Sequence, residues 1–425
     1  MCTRYAVSTV SETRSVKGDR NLFGIALFAL VFTLVTTFSF STVRAQSSVT
    51  VYGILDMGLS YQSASANTAR TSLAATNFGL ISGGQSANLI GFKGREDLGD
   101  GNQVAFVLES AYNLGNGSQP GGLDQRLFNR QAWLGIQNAS MGYGRVGRQF
   151  NFAYDYIAPL TPFAASDFTR ASMGSSFASG GTERLSNTIK FETAAAHGFK
   201  FGAGYSFSAE IPSAYRPDTL PPTIEMDRTR KNYDYNYAMD ENLRAVTAGL
   251  QYKNGPWYAT ATVDIFMPNA AVADGSYKNV SSWTLGGYYD FSPFKLSAAY
   301  GQVRNGWINA LQPLAAQTRN ISLNVLNNFI VFDQNIAVDS YLLAFTFPTK
   351  TAGNVFGAWR LIKPSAHMVE SASFSISTQN SLSLGYTYNF TPRTNLYTYA
   401  SYTKDYAMIA GLTSFNVAVG LRHVF

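Results

Sequence analysis

The sequence predicts an all-β chain whose strands form one antiparallel sheet closed into a barrel, and three observations carry that prediction. Hydrophobic residues make up 46% of the 425 residues and charged residues only 14%, against roughly 25% charged in ordinary soluble domains. Mean hydropathy is nevertheless near neutral, at −0.06. Apolar residues alternate with small polar ones along most of the chain, the period of a two-faced strand, and the connections between alternating segments are short at one end and long at the other. So few charges leave too little solvating surface for a soluble protein of this size. Beyond residue 45 no apolar run approaches the ~20 residues that a spanning helix needs. Alternation reconciles the two facts, because each strand offers one apolar and one polar face.

The first 45 residues read as a targeting segment. Arg4, Arg14, Lys17 and Arg20 outweigh Glu12 and Asp19, an apolar run follows over 22–43, and Val43-Arg44-Ala45 closes it. This is the layout of a secretory signal cleaved after Ala45. The run is longer than the usual ~7–15 residues, so an uncleaved N-terminal anchor helix is the alternative. Residues 46–425 then form a single barrel domain. The segment holds five of the 32 Lys+Arg and two of the 26 Asp+Glu, so removing it lowers the net charge from +6 to +3. That balance gives no reason to expect nucleic acid as a partner. Cys2, the one cysteine, also falls there, which leaves the barrel without a disulfide, a thiolate nucleophile or a cysteine metal site.

Strands follow from the alternation. Over 381–390, Leu382, Leu384, Tyr386, Tyr388 and Phe390 fall on one face and Ser381, Ser383, Gly385, Thr387 and Asn389 on the other. The same pattern marks 200–208, 246–253, 257–265 and 282–291. Sixteen strands result, near 49–61, 86–97, 102–113, 127–138, 144–150, 184–194, 199–208, 244–253, 257–266, 280–290, 295–303, 339–347, 354–363, 380–390, 394–403 and 413–425. Turn residues make the tight connections at 98–102, 253–256, 291–294 and 390–394, whereas 150–183, 209–243 and 304–338 are long. Ile321–Phe332 is apolar for an external loop, so an additional hairpin and an eighteen-stranded barrel stay open. In hydrocarbon every backbone N–H and C=O needs an internal partner, and only a closed sheet has no unpaired edge. Short turns on one side and long loops on the other characterise barrels of the bacterial outer membrane, and 16–18 strands leave an aqueous channel.

The last strand runs Phe415, Val417, Val419, Leu421, His423 and Phe425 on one face, with Asn416, Ala418, Gly420 and Arg422 on the other. Together with Ser48-Val49-Thr50-Val51-Tyr52-Gly53-Ile54-Leu55-Asp56, Ile90-Gly91-Phe92-Lys93-Gly94-Arg95-Glu96-Asp97-Leu98-Gly99, Asn129-Arg130-Gln131-Ala132-Trp133-Leu134-Gly135-Ile136 and Gly147-Arg148-Gln149, it resembles the Gram-negative general diffusion porins common in β-proteobacteria. The terminal Phe425 is similar to the signal that periplasmic chaperones and the barrel-assembly machinery read in that class. His423 departs from its usual aromatic.

The resemblance implies a homotrimer of sixteen-stranded barrels in the bacterial outer membrane, in contact with lipid and lipopolysaccharide, each with a water-filled pore for small hydrophilic solutes and ions. The pore would be narrowed by the third external loop, about 150–183, folded inward, with basic residues on the wall facing acidic ones on the loop. Carried over by motif, Arg130 and Arg184 match wall arginines and Glu109 a lumenal acid, while Asp155 and Asp167 are the loop's candidate acids. A third wall arginine of the family is replaced by Leu89. Lys93 lies four residues on, on the same face, nearer the periplasm. Arg148 and Arg170 complete the candidate set. Each of these charges also has a plainer reading, as a solvated pore-lining group or a tether for the loop; for Asp155 the tether is the better one, and Asp56 reads as an ordinary pore-lining carboxylate. A substrate-selective porin and a plugged barrel serving as receptor or adhesin are the alternatives. No catalysis and no cofactor are expected. His197, His367 and His423 do not share a face or a depth, and general-base or nucleophilic chemistry needs such groups together.

Overall fold

The computed structural model describes residues 48–68, 71–119, 126–163, 184–209, 243–267, 278–308, 330–349, 352–365, 376–408 and 410–425. Gln46–Phe425 forms one compact unit, and the targeting segment lies outside the described residues. The strands are β1 (Ser48–Thr68), β2 (Thr71–Ser82), β3 (Leu89–Gly99), β4 (Asn102–Ala111), β5 (Gln131–Asn138), β6 (Gly142–Phe150), β7 (Arg184–Thr193), β8 (Phe199–Ser206) and β9 (Arg244–Asn254). They continue with β10 (Trp257–Met267), β11 (Val280–Asp290), β12 (Lys295–Ile308), β13 (Ile330–Pro348), β14 (Gly353–Pro364), β15 (Gln379–Thr391), β16 (Thr394–Lys404) and β17 (Leu412–Val424). A short helix, α1 (Phe152–Ile157), and a 3-10 turn (Ala158–Leu160) follow β6.

Each strand pairs antiparallel with its neighbours, and β1 closes the sheet on β17 from Ile54↔Val424 to Ala66↔Leu412. On its other side β1 pairs with two segments in turn. Its outer part matches β2 from Thr68↔Thr71 to Met57↔Ser82, and its first residues match β3 from Ile54↔Leu89 to Ser48↔Arg95. Thus β2 and β3 are two halves of one stave broken at 83–88, and the seventeen segments fill sixteen positions. The sequence expectation for these staves is corrected here. The strand read as 49–61 continues to Thr68, residues 71–82, assigned to no strand from the sequence, are strand, and the strand read as 86–97 begins only at Leu89. The eighteen-strand alternative also falls, because β12 and β13 pair up to Ile308↔Ile330 and so build a taller hairpin rather than new staves.

The sheet is apolar outside and polar inside. On β15, Leu382 and Leu384 are 61% and 54% exposed, whereas Ser381 and Ser383 are 0% and 2%. Outward rings gather near both rims. Trp257, Tyr289, Phe291 and Phe294 touch in series by the short turns, and Trp283, Tyr300 and Tyr341 do so toward the other end. Such girdles mark the two lipid–water interfaces of a membrane barrel. The tight turn between β3 and β4 places Gly99, Asp100 and Gly101 all at positive φ, which suits glycine and, next best, a short Asp.

Candidate pore constriction

The third external loop, described over 151–163, turns inward as soon as β6 ends. The Asn151 side chain accepts a hydrogen bond from Tyr154 N at 2.9 Å and caps α1, a preferred cap type. Phe152, Ile157 and Leu160 are 0% exposed. They are buried against the inner face of the barrel, where glycines make room. A Cβ at Gly202 would collide with Phe152, one at Gly249 with Tyr156 and one at Gly286 with Leu160. These glycines lie on β8, β9 and β11 at inward positions, so three strands supply one smooth landing strip. Polar contacts fix the register: Phe152 N donates to Thr247 Oγ1 at 2.9 Å and Lys295 Nζ to the Pro159 carbonyl at 3.4 Å. Tyr258 Oη donates to the Tyr156 carbonyl at 2.5 Å. Phe163 then meets Phe356 of β14 edge-on, with centroids 5.1 Å apart.

Charged groups tie this segment to the wall. Asp155 on α1 pairs with Lys190 of β7 at 2.5 Å. Lys190 is 1% exposed, donates to the Phe150 carbonyl at 3.0 Å and sits 4.0 Å over the Phe152 ring. Glu192, two residues on, accepts from Tyr156 Oη at 2.9 Å and Tyr143 Oη at 3.2 Å and pairs with Lys200 at 3.2 Å. Burial, and then the Glu192 charge, push the Tyr156 phenol above its ordinary pKa.

Beside the root of the loop, Arg130 precedes β5. Its Nε lies 3.6 Å from Glu109 Oε2, and its backbone N–H donates to the Glu109 carbonyl at 3.1 Å. Glu109 also accepts from Tyr52 Oη at 2.7 Å and Gln131 Nε2 at 2.9 Å. The guanidinium groups of Arg130 and Arg184 lie 5.9 and 4.8 Å from the centroid of the same ring, Phe150, which stacks on Tyr154 at 4.1 Å. Arg148 donates to the Asn129 carbonyl at 3.0 Å and to Ser186 Oγ at 2.7 Å. It occupies the register shift between Gly147 and Gln149. Lys93 is exposed, 4.9 Å from the Tyr52 ring centroid, and lies about 13 Å beyond Leu89 toward the short turn at ~3.3 Å per residue. The structure therefore brings Arg130, Arg184, Arg148, Glu109 and Asp155 around the entry to the third loop, with Lys93 set toward the short turn and linked to Glu109 through Tyr52. Asp167 and Arg170 lie outside the described residues.

Asp56 is the residue the sequence misread. It is 0% exposed, and its carboxylate accepts from the backbone N–H of Gly84, Gln85 and Ser86 and from Tyr397 Oη. Lys190, Glu192 and Lys200 were not singled out either. A signal existed, because Ile189 and Phe191 face outward and put Lys190 and Glu192 on the lumenal parity of β7. Among the described residues no group of three or more His, Cys, Asp or Glu could hold a metal ion.

A closed sheet of sixteen staves with an apolar exterior, polar lumen and inward-turned third loop defines a membrane channel, and the comparisons name its class. Residues 26–406 match the Gram-negative porin family, and the chain belongs to it. It is therefore an outer-membrane diffusion channel. Curated relatives include an outer membrane porin protein of Bordetella pertussis, 35% identical over 396 residues and spanning 90% of this chain and 95% of that one. Outer membrane porin protein 32 of Delftia acidovorans is 26% identical over 404 residues, with the same coverages. Among solved structures, the fold is similar to an anion-selective porin from Comamonas acidovorans (TM-score 0.62, 21% identity, 89% of this chain and all of that one). It is also similar to a Salmonella typhi OmpF in complex with daunomycin (TM-score 0.56, 15% identity, 89% and 97%).

Proposed function

We propose that this diffusion channel sets its selectivity where the third loop leaves the wall, with Arg130 and Arg184 as basic wall groups, Arg148 behind them and Glu109 as the nearest lumenal acid. The observation that carries this is the convergence of Arg130 and Arg184 on the Phe150 ring at the entry of the loop. Charge rings and charged constrictions tune ion pores because a passing ion gives up part of its hydration there and feels fixed charges through few intervening waters. Asp155, paired with Lys190, acts as a tether. Asp167 and Arg170 supply the loop's own charges further along, and Lys93 acts on ions nearer the periplasmic mouth. The anion selectivity named for the Comamonas neighbour is in keeping with two wall arginines.

The working unit is a homotrimer in outer-membrane lipid and lipopolysaccharide, made from a precursor cleaved after Ala45 and delivered by periplasmic chaperones to the barrel-assembly machinery through Phe425. Its cargo is small hydrophilic solutes and ions moving down their gradients. It has no catalytic activity. In planar bilayers, purified protein is expected to give large stepwise conductances with weak voltage dependence. Arg184→Ala is expected to shift the reversal potential in a salt gradient toward cations, and an unchanged potential would remove Arg184 from the constriction.

A further inference from the structure

Between Met57↔Ser82 and Ile54↔Leu89 the ladder faces two residues of β1, Leu55 and Asp56, with the six residues 83–88 of the broken stave. Four residues more than the ladder can pair must leave the sheet. They cannot leave toward lipid, where each unpaired backbone N–H or C=O would cost several kcal/mol, so the crossing turns inward. Its contacts place it there. Gly83 takes φ +81° and donates to the Asp56 carbonyl at 2.9 Å. Three successive N–H groups then converge on the Asp56 carboxylate: Gly84 at 3.0 Å, Gln85 at 2.7 Å and Ser86 at 2.6 Å. Asn88 closes the crossing by donating to the Asp56 carbonyl at 3.0 Å. Gly84 lies directly on Tyr397, where any Cβ would collide with the ring hydroxyl.

The floor beneath this crossing is a row of inward cross-strand neighbours, Asp56↔Arg422 between β1 and β17 and Arg422↔Asn395 between β17 and β16. Each reaches the crossing. Asn395 Nδ2 donates to Gln85 Oε1 at 2.6 Å and Arg422 Nε to Ser86 Oγ at 2.8 Å. Asp56 is enclosed by four donors, whereas Arg422, Gln85 and Ser86 are only half-buried and face the interior. α1 and its 3-10 turn cover the other side of the wall, β8 to β12.

We propose that residues 83–88 are a second inward element of the pore, on the closing seam, and that Arg422 beneath them is a further selectivity-determining cation, favouring small anions such as chloride and short carboxylates. The inference rests on the channel function but on none of the residues assigned to the third-loop constriction.

The test uses the full chain in planar bilayers. Cys2→Ser with Gln85→Cys places one thiol on the crossing. Cationic and anionic methanethiosulfonate reagents are then expected to lower single-channel conductance by roughly a tenth or more and to move the chloride-to-potassium permeability ratio in opposite directions, as fixed charge at a pore wall does. Arg422→Gln is expected to lower that ratio about two-fold. Complete modification, verified by mass, with conductance and selectivity unchanged would overturn the inner element. An unchanged ratio in Arg422→Gln would overturn the role of the arginine, and that variant decides if Gln85→Cys does not assemble. Absence of channels in the unmodified protein would instead overturn the pore itself.

Discussion

Lys190 shows how a single side chain can govern a loop. Its ammonium is almost entirely buried and is held by Asp155, the Phe150 carbonyl and the Phe152 ring. Removing one partner of a charged hydrogen bond costs about 1.5–3 kcal/mol, and the side chain of Asp155 is 32% exposed, so the low end applies. Asp155→Asn is expected to loosen the third loop and raise open-channel noise while leaving the barrel's melting temperature almost unchanged; noise identical to the parent would show that the tether is dispensable. Asp56→Ala differs in kind. It leaves three N–H groups and a phenol without their acceptor, at about 1–3 kcal/mol for each buried group, and is expected to lower the melting temperature clearly in calorimetry. Lys190 was legible from the sequence once the parity of β7 was assigned, since Ile189 and Phe191 face out. Asp56 was not, because its partners are backbone groups some 30 residues away and a tyrosine at the other end of the chain.

At the scale of elements, the informative residues are the inward glycines of β8, β9 and β11. Each is a point where the wall has been thinned so that Phe152, Tyr156 or Leu160 can lie flush. Gly249→Leu is expected to push the loop off the wall, changing single-channel conductance while the strand content seen by circular dichroism stays the same. Conductance equal to the parent's would mean that the loop is not held by this surface. Sequence periodicity found nearly every stave, because Leu382 and Leu384 alternate with serines in a way that only a two-faced strand requires. It missed β2, where Ala74, Thr76 and Gly79 dilute the pattern that the exposed Phe78 and Leu80 set. The break at 83–88 was hidden for a related reason. Alternation does not register where a stave leaves the sheet, and 86–88 read as the start of the following strand.

For the whole molecule, the low charge and neutral hydropathy become a statement about two solvents, lipid outside and water inside, met by alternate residues of the same strands. Placing a cation on the outward face tests this directly, and Leu384→Lys near the middle of β15 is expected to destabilise the barrel by about 2–4 kcal/mol if it lies at bilayer mid-depth, read as a lowered urea midpoint for refolding into vesicles. A neutral effect would place Leu384 away from lipid. The channel itself is tested most directly by liposome swelling with uncharged sugars of increasing size. Proteoliposomes are expected to admit monosaccharides rapidly and larger oligosaccharides progressively more slowly, as a water-filled pore with a loop-narrowed passage requires. No entry of even the smallest sugar, from protein shown to be folded and inserted, would contradict the account and leave a closed barrel in place of a pore.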